Sequence, residues 1–128
     1  MLNGFRNYEW ETVDFSKETN VIYGPNAQGK TNLLEAVYML STGKSFRTRF
    51  DREMVGFGYS AGEVLADVSA GGRKQTVKMT LRPGVRKTIT VNGVKSTTAD
   101  LAGKFSCVLF CPDDLDLIKD GPAARRKL

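Results

Sequence analysis

The sequence predicts an α/β fold, and two observations predict it. An apolar run, "TNVIYG", enters a glycine-rich turn that ends in Gly-Lys-Thr and leaves as an apolar-periodic segment. That order reads strand, loop, helix. Further on, apolar and polar residues alternate through three segments separated by Gly-Gly, Pro-Gly and Asn-Gly, which reads as an antiparallel meander.

Element by element, residues 1–16 read as two short strands around a polar turn at Tyr8–Thr12. Residues 19–24 read as a buried strand. Leu33, Leu34, Val37 and Leu40 recur at helical spacing, so a helix is expected from Lys30 to about Ser41, ended by Thr42-Gly43. Residues 44–53 are basic and read as a loop or short turn. Val64, Ala66 and Val68, then Val77, Met79 and Leu81, then Ile89 and Val91 alternate with polar residues, giving three or four strands. A short helix is expected near Thr98–Lys104. "FSCVLF" reads as a second buried strand, "PDDLDLI" as a turn and short helix, and Gly121-Pro122 as the opening of a last helix.

Composition bounds the function. A chain of 128 residues, 41% hydrophobic, fits one domain or a piece of one. The formal charge of +5 is compatible with nucleic acid or phosphate ligands. No run approaches membrane-spanning length and no leader is evident, so a cytoplasmic protein without a membrane partner is expected. The chain has no histidine, which excludes His-metal sites and His-based triads. Cys107 and Cys111 lie four apart in the expected strand. Four strand residues span roughly 13 Å, against about 4.4–6.8 Å between disulfide-bonded Cα atoms, so both are expected to be buried free thiols.

Gly24-Pro25-Asn26-Ala27-Gln28-Gly29-Lys30-Thr31 fits G-x-x-x-x-G-K-[ST] at every position. In such a loop the backbone amides converge on phosphate oxygens and the positive end of the following helix dipole faces them. Gly24 and Gly29 allow close backbone approach. Lys30 is expected to reach the β- and γ-phosphates and the Thr31 hydroxyl to ligate Mg²⁺. The ordinary alternative is a glycine-rich strand–helix turn without a ligand. The loop does not name a reaction. A small-molecule kinase would continue with further βα units, whereas a β-meander follows here. That order suggests the first lobe of an ABC-type ATPase head.

The residues "GFRNY", "GPNAQGKTNLLEA", "GKSFRT", "VNG" and "CPDDLDLIKDGPAARRKL" together resemble the amino-terminal part of the RecF family, bacterial DNA-repair ATPases of the SMC-like branch of the ABC ATPases. The resemblance covers essentially the whole chain. It implies ATP and Mg²⁺ as cofactors and a homodimer that sandwiches ATP between two heads. It further implies sequence-independent binding of double-stranded and gapped DNA, with RecR and RecO as partners in loading RecA. Members of the family carry a few more residues before the first motif. They continue past "RR" to a coiled-coil insertion, a signature motif, a Walker B acidic pair and a switch histidine, none of which is in this sequence. The chain is therefore expected to be the first lobe of a head, binding ATP without efficient hydrolysis. Another SMC-like head is the alternative within the fold. Outside it stand a P-loop small-molecule kinase and a binding module that keeps the fold without the ATPase.

The resemblance also nominates single residues. Arg6 and Asn7 of "FRNY" are expected near the nucleotide, where a guanidinium pairs with phosphate or stacks on the base; a solvated hairpin arginine is the plain alternative. Arg47 falls where SMC-type heads carry an arginine finger. With Lys44, Arg49 and Arg52 it forms a basic cluster suited to phosphates of ATP or DNA, or simply to solvent. Asp113 and Asp114 sit where relatives hold Mg²⁺, Asp113 through water, or they cap a helix. Arg73, Lys74, Lys78, Arg82, Arg86, Lys87 and Lys95 decorate the meander as a DNA-tracking or merely solvated face. Arg125 and Arg126 match the family's "RR" without a role the sequence decides. Phe5, Tyr8 and Trp10 are expected to pack in the core or a turn.

Overall fold

The computed structural model describes residues 1–26 and 28–110. Its centre is one antiparallel sheet of six strands in the order β2-β1-β3-β4-β5-β6. The strands are β1 (Leu2–Phe5), β2 (Tyr8–Glu11), β3 (Gly62–Ala70), β4 (Arg73–Arg82), β5 (Val85–Val91) and β6 (Val94–Ser96). Two helices complete the described elements, α1 (Lys30–Thr42) and α2 (Thr98–Leu101), with a 3₁₀ turn at Asp51–Met54.

The meander forms because its alternation and its turns agree. Val77, Met79 and Leu81 of β4 and Ile89 and Val91 of β5 are buried on one face. Asn92 and Gly93 both take positive φ, 51° and 78°, the geometry of a two-residue hairpin turn. A register irregularity between Thr80 and Arg82 breaks strict alternation, and Thr80 is buried beside Leu81. α1 lays Leu33, Ala36, Met39 and Leu40 into one core with Phe5, Val64 and Met79. Its end matches expectation: Gly43 is left-handed at φ 70°, and its N–H returns to the Met39 carbonyl at 2.7 Å. α2 is capped by Thr97 and Asp100, each side chain bonding the other's backbone N–H.

Four expectations are corrected. The first turn is at Arg6-Asn7, not Tyr8–Thr12, because Phe5 pairs with Tyr8 and Arg6 turns left-handed at φ 52°. Residues 19–24 are not a buried strand: Val21 is 76% exposed and Tyr23 88%. "FSCVLF" is irregular, with Val108 and Phe110 exposed and Cys107 a half-buried free thiol. Both runs are apolar, but a strand needs a hydrogen-bonded neighbour, and among the described residues neither run pairs with the sheet. Trp10 is exposed on the edge strand β2, whereas Phe5 is buried and Tyr8 packs against the core. Cys111, Asp113, Asp114, Arg125, Arg126 and the expected elements after 110 lie outside the described residues. Among the described residues no helix is long and apolar enough to cross a membrane.

Exposed apolar runs at 21–23 and 108–110 make a surface that water disfavours. The chain is therefore expected to self-associate as its concentration rises. Light scattering that returns a monomer at high concentration contradicts this.

Candidate nucleotide site

The site begins at the first turn of α1. Gly29 precedes the helix at φ 99°, a conformation that disfavours any side chain. A Cβ there would also meet Asn7 Oδ1 at 2.7 Å and the Tyr8 ring at 3.0 Å. The second glycine of the motif is thus required by its backbone, with the Asn7 and Tyr8 side chains close over it. Tyr8 donates its hydroxyl hydrogen to the Gly29 carbonyl at 2.9 Å. Burial, then the charge of Glu11, pushes the Tyr8 pKa above its ordinary value, so the phenol remains a donor. Leu33 N–H closes the first helical bond on the same carbonyl at 3.0 Å. The first-turn amides stand before that bond, where a helix leaves its N–H groups without helical acceptors.

Lys30 folds back over the loop. Its ammonium donates to the carbonyls of Gly24 at 2.5 Å and Pro25 at 2.6 Å. Asn7, Asn26, Gly29, Lys30, Thr31, Asn32 and Arg47 line one cleft of about 340 Å³. Of the expected nucleotide residues, the structure thus brings Asn7, Asn26, Gly29, Lys30, Thr31 and Arg47 together. Gly24 and Pro25 join them through the Lys30 bonds, and Gln28 is exposed on the loop. Ala27 lies outside the described residues.

Arg6 does not line that cleft. Its Nε and Nη2 grip both carboxylate oxygens of Glu35 at 2.8 and 2.7 Å, and its Nη1 donates to the Glu53 carbonyl at 2.9 Å. Glu35 is fully buried, on α1. It also accepts from Ser45 Oγ at 2.5 Å and from Arg47 Nη1 at 3.3 Å. Asn32, one turn earlier on the helix, accepts from the same Arg47 nitrogen at 2.5 Å and donates to Asn7 Oδ1 at 2.8 Å. Two rungs therefore cross the helix start, Asn7–Asn32–Arg47 and Arg6–Glu35–Ser45/Arg47, from residues three apart on one face. Burial opposes ionisation of Glu35. The hydrogen bonds from Arg6 and Ser45, and the charges of Arg6 and Arg47, overcome it and hold its pKa below the ordinary value.

The basic cluster stands beside this network. Lys44, Arg47, Arg49 and Lys87 line a second concavity with Asp51, of about 510 Å³, so Arg47 borders both clefts. Lys87 pairs with Asp51 at 2.9 Å. Arg49 and Arg52 both lie over the Phe50 ring, at 5.9 and 5.2 Å from its centre. On the meander, Lys78 pairs with Glu63 at 2.8 Å, which neutralises part of that face. A third groove, between α1 and β3, is bordered by Glu11, Asp14 and Asp67 and repels anions. Among the described residues no cluster of three or more acidic or thiol side chains could hold a metal ion, and Thr31 is exposed in the cleft.

Sequence reasoning missed Asn32 and Glu35. The one available signal was their spacing: two polar residues three apart amid "TNLLEA", where the helix pattern assigns polar positions to solvent.

The family described as an AAA domain matches residues 1–109. The chain belongs to the AAA-domain family. This AAA-family chain is similar to the DNA replication and repair protein RecF of Lachnospira eligens, 45% identical over 127 residues, 98% of this chain and 35% of that protein. It is 46% identical over 129 residues to the RecF of Symbiobacterium thermophilum, covering 98% and 34%. It spans about a third of the length of these curated relatives. Among solved structures it matches the recombination mediator protein RecF with ATP in the RecFOR pathway. There the TM-score is 0.85 and the identity 40%, covering 98% of this chain and 35% of that one. An SMC ATPase structure matches at TM-score 0.78 and 21% identity, covering 99% and 93%, which shows the fold alone. The expected P-loop fold of RecF and SMC-type heads is thereby shown, as is the resemblance to RecF.

Because the Glu35 pKa is lowered on folding, its contribution to stability is complete above the ordinary glutamate value of 4.5 and lost as pH falls through the lower folded value. Glu35→Gln is expected to cost about 3 kcal/mol at neutral pH. That deficit should stay constant from about pH 8 to about pH 5 and shrink below about pH 4.5 as the parent protonates. Urea melts of both proteins across that range check it.

Proposed function

We propose that this chain is the ATP-binding lobe of a RecF-type DNA-repair ATPase, with residues 1–128 forming the first lobe of its head. The observation that carries the reading is the cleft at the start of α1. Lys30, Thr31 and Arg47 border it, and Gly29 holds a φ of 99° that disfavours a side chain. Every bordering charge is positive, as a polyphosphate requires. The donor set fits ATP with Mg²⁺.

In this reading the Lys30 ammonium exchanges the Gly24 and Pro25 carbonyls for phosphate oxygens. In the loop from Gly24 to Gly29 the non-proline positions supply backbone amides, Asn26, Gln28 and Gly29 among the described ones, Pro25 having no N–H to give. Thr31 offers its hydroxyl to Mg²⁺; Asp113, expected to act through water, lies outside the described residues. Tyr8 holds Gly29 and Asn7 holds Asn32 in place, and Arg6 acts from the interior through Glu35. Bound Mg²⁺ would neutralise phosphate charge. Arg47 faces the terminal phosphate as the arginine-finger candidate.

The second concavity, with Lys44, Arg47, Arg49 and Lys87 against Asp51, supports sequence-independent contact with DNA phosphates. Similarity to DNA replication and repair proteins, and to a recombination mediator of the RecFOR pathway, supports a role in DNA repair. The SMC-type fold supports ATP-gated homodimerisation. An antiparallel sheet, rather than further parallel βα units, argues against a small-molecule kinase.

Calorimetry with ATP-Mg²⁺ tests the reading. The parent is expected to bind, and Lys30→Ala to bind roughly a hundredfold more weakly. Absence of binding by the parent, or equal binding by both, overturns it.

A further inference from the structure

Arg6 and Arg47 share one buried carboxylate and do not share it equally. Arg6 takes both Glu35 oxygens at 2.7–2.8 Å and places its third nitrogen on the Glu53 carbonyl. Its side chain is 18% exposed and all three nitrogens are committed. Arg47 reaches Glu35 at 3.3 Å through one nitrogen, and its side chain is 39% exposed. One carboxylate facing two guanidiniums leaves one positive charge in excess. The weaker contact and the greater exposure put that excess on Arg47, which borders the phosphate cleft.

Glu35 also controls the backbone beneath Arg47. Ser45 Oγ donates to Glu35 and accepts from the N–H groups of Arg47 at 2.9 Å and Thr48 at 3.1 Å. The carboxylate thus orients a hydroxyl that in turn folds the loop carrying Arg47. It is fixed on α1, the same helix whose first turn bounds the cleft, so its distance from the phosphate loop is set by helical geometry.

We propose that Glu35 is a positioning residue of the phosphate site. Neutralised by Arg6, it fixes the loop that carries Arg47 and sets that guanidinium where a terminal nucleotide phosphate would meet it. Arg6 is the counter-charge that lets the anchor sit in the interior. Arg47 is the cation left over to be retargeted. The proposal rests on the reading of the loop as a nucleotide site and assigns the preference for triphosphate over diphosphate to the Glu35–Ser45–Arg47 chain.

The test is the ratio of ADP to ATP dissociation constants, each with Mg²⁺, for the whole chain and for Arg47→Ala, Glu35→Gln, Glu35→Asp, Ser45→Ala and the double variant Glu35→Gln/Arg47→Ala. Arg47→Ala is expected to lower the ATP preference about tenfold, and Glu35→Gln by a similar factor. The double variant should lose no more than either single one. Glu35→Asp should recover part of the preference. Ser45→Ala, which leaves the Arg6 pair intact, should lose part of it. If Glu35→Gln does not hold its fold by circular dichroism, Ser45→Ala decides. An unchanged ratio in Glu35→Gln or Ser45→Ala, or equal weakening of ATP and ADP in a folded variant, overturns the proposal while leaving the nucleotide site standing. Lys30→Ala is run beside them: if it binds both nucleotides like the parent, the site reading falls, and this inference with it.

Discussion

One buried carboxylate holds this end of the molecule together. Glu35 sits in the interior with no exposed surface, a position that would be costly for an unpaired charge. Arg6 makes it tolerable with a two-nitrogen grip, and Ser45 and Arg47 fill the remaining acceptor sites. The groups come from the β1–β2 turn, α1 and the loop after α1. Removing Arg6 or Glu35 takes from the other the partner that holds its charge in the interior. The described part contains no buried side-chain nitrogen or oxygen without one.

That constraint explains the shape of the phosphate cleft. The turn that carries Arg6 also carries Asn7 and leads into Tyr8, and these two side chains press on Gly29 from one side. The loop that carries Ser45 also carries Arg47, which closes the cleft from another. The loop before α1 is short and contains two glycines, Gly24 and Gly29, which restrain the backbone little. Here its helical end is held by neighbours that the ion pair fixes in turn. The loop after α1 lines a basic concavity on its far side, so Arg47 borders both clefts.

What the sequence reveals divides along the range of the interactions. The glycine-rich motif is legible because it lies within eight consecutive residues, Gly24 to Thr31. The meander is legible because alternation and turn dipeptides such as Asn92-Gly93 are local. α1 and α2 announce their ends through Gly43 and through Thr97 with Asp100. The runs at 19–24 and 105–110 mislead because apolarity records a tendency to be covered without naming the cover. Among the described residues no strand pairs with either. Trp10 misleads in the opposite sense, since an aromatic on an edge strand need not be buried. Glu35 was invisible for a physical reason: a helix pattern sends its polar face to water, and only the fold shows that Arg6 and the 45–48 loop close over it. The role of Arg6 follows from the same fact, its guanidinium turned inward to Glu35 rather than into the cleft.

The central claim is that Arg6 and Glu35 act as one unit. A double-mutant cycle measures it, with Arg6→Ala, Glu35→Gln and the pair unfolded in urea at neutral pH. The account predicts strong non-additivity, a coupling of about 2–3 kcal/mol, because either single change strands a partner that the double change relieves. Additivity within about 0.5 kcal/mol would contradict it. The buried carboxylate would then be a bystander to the arrangement of the site.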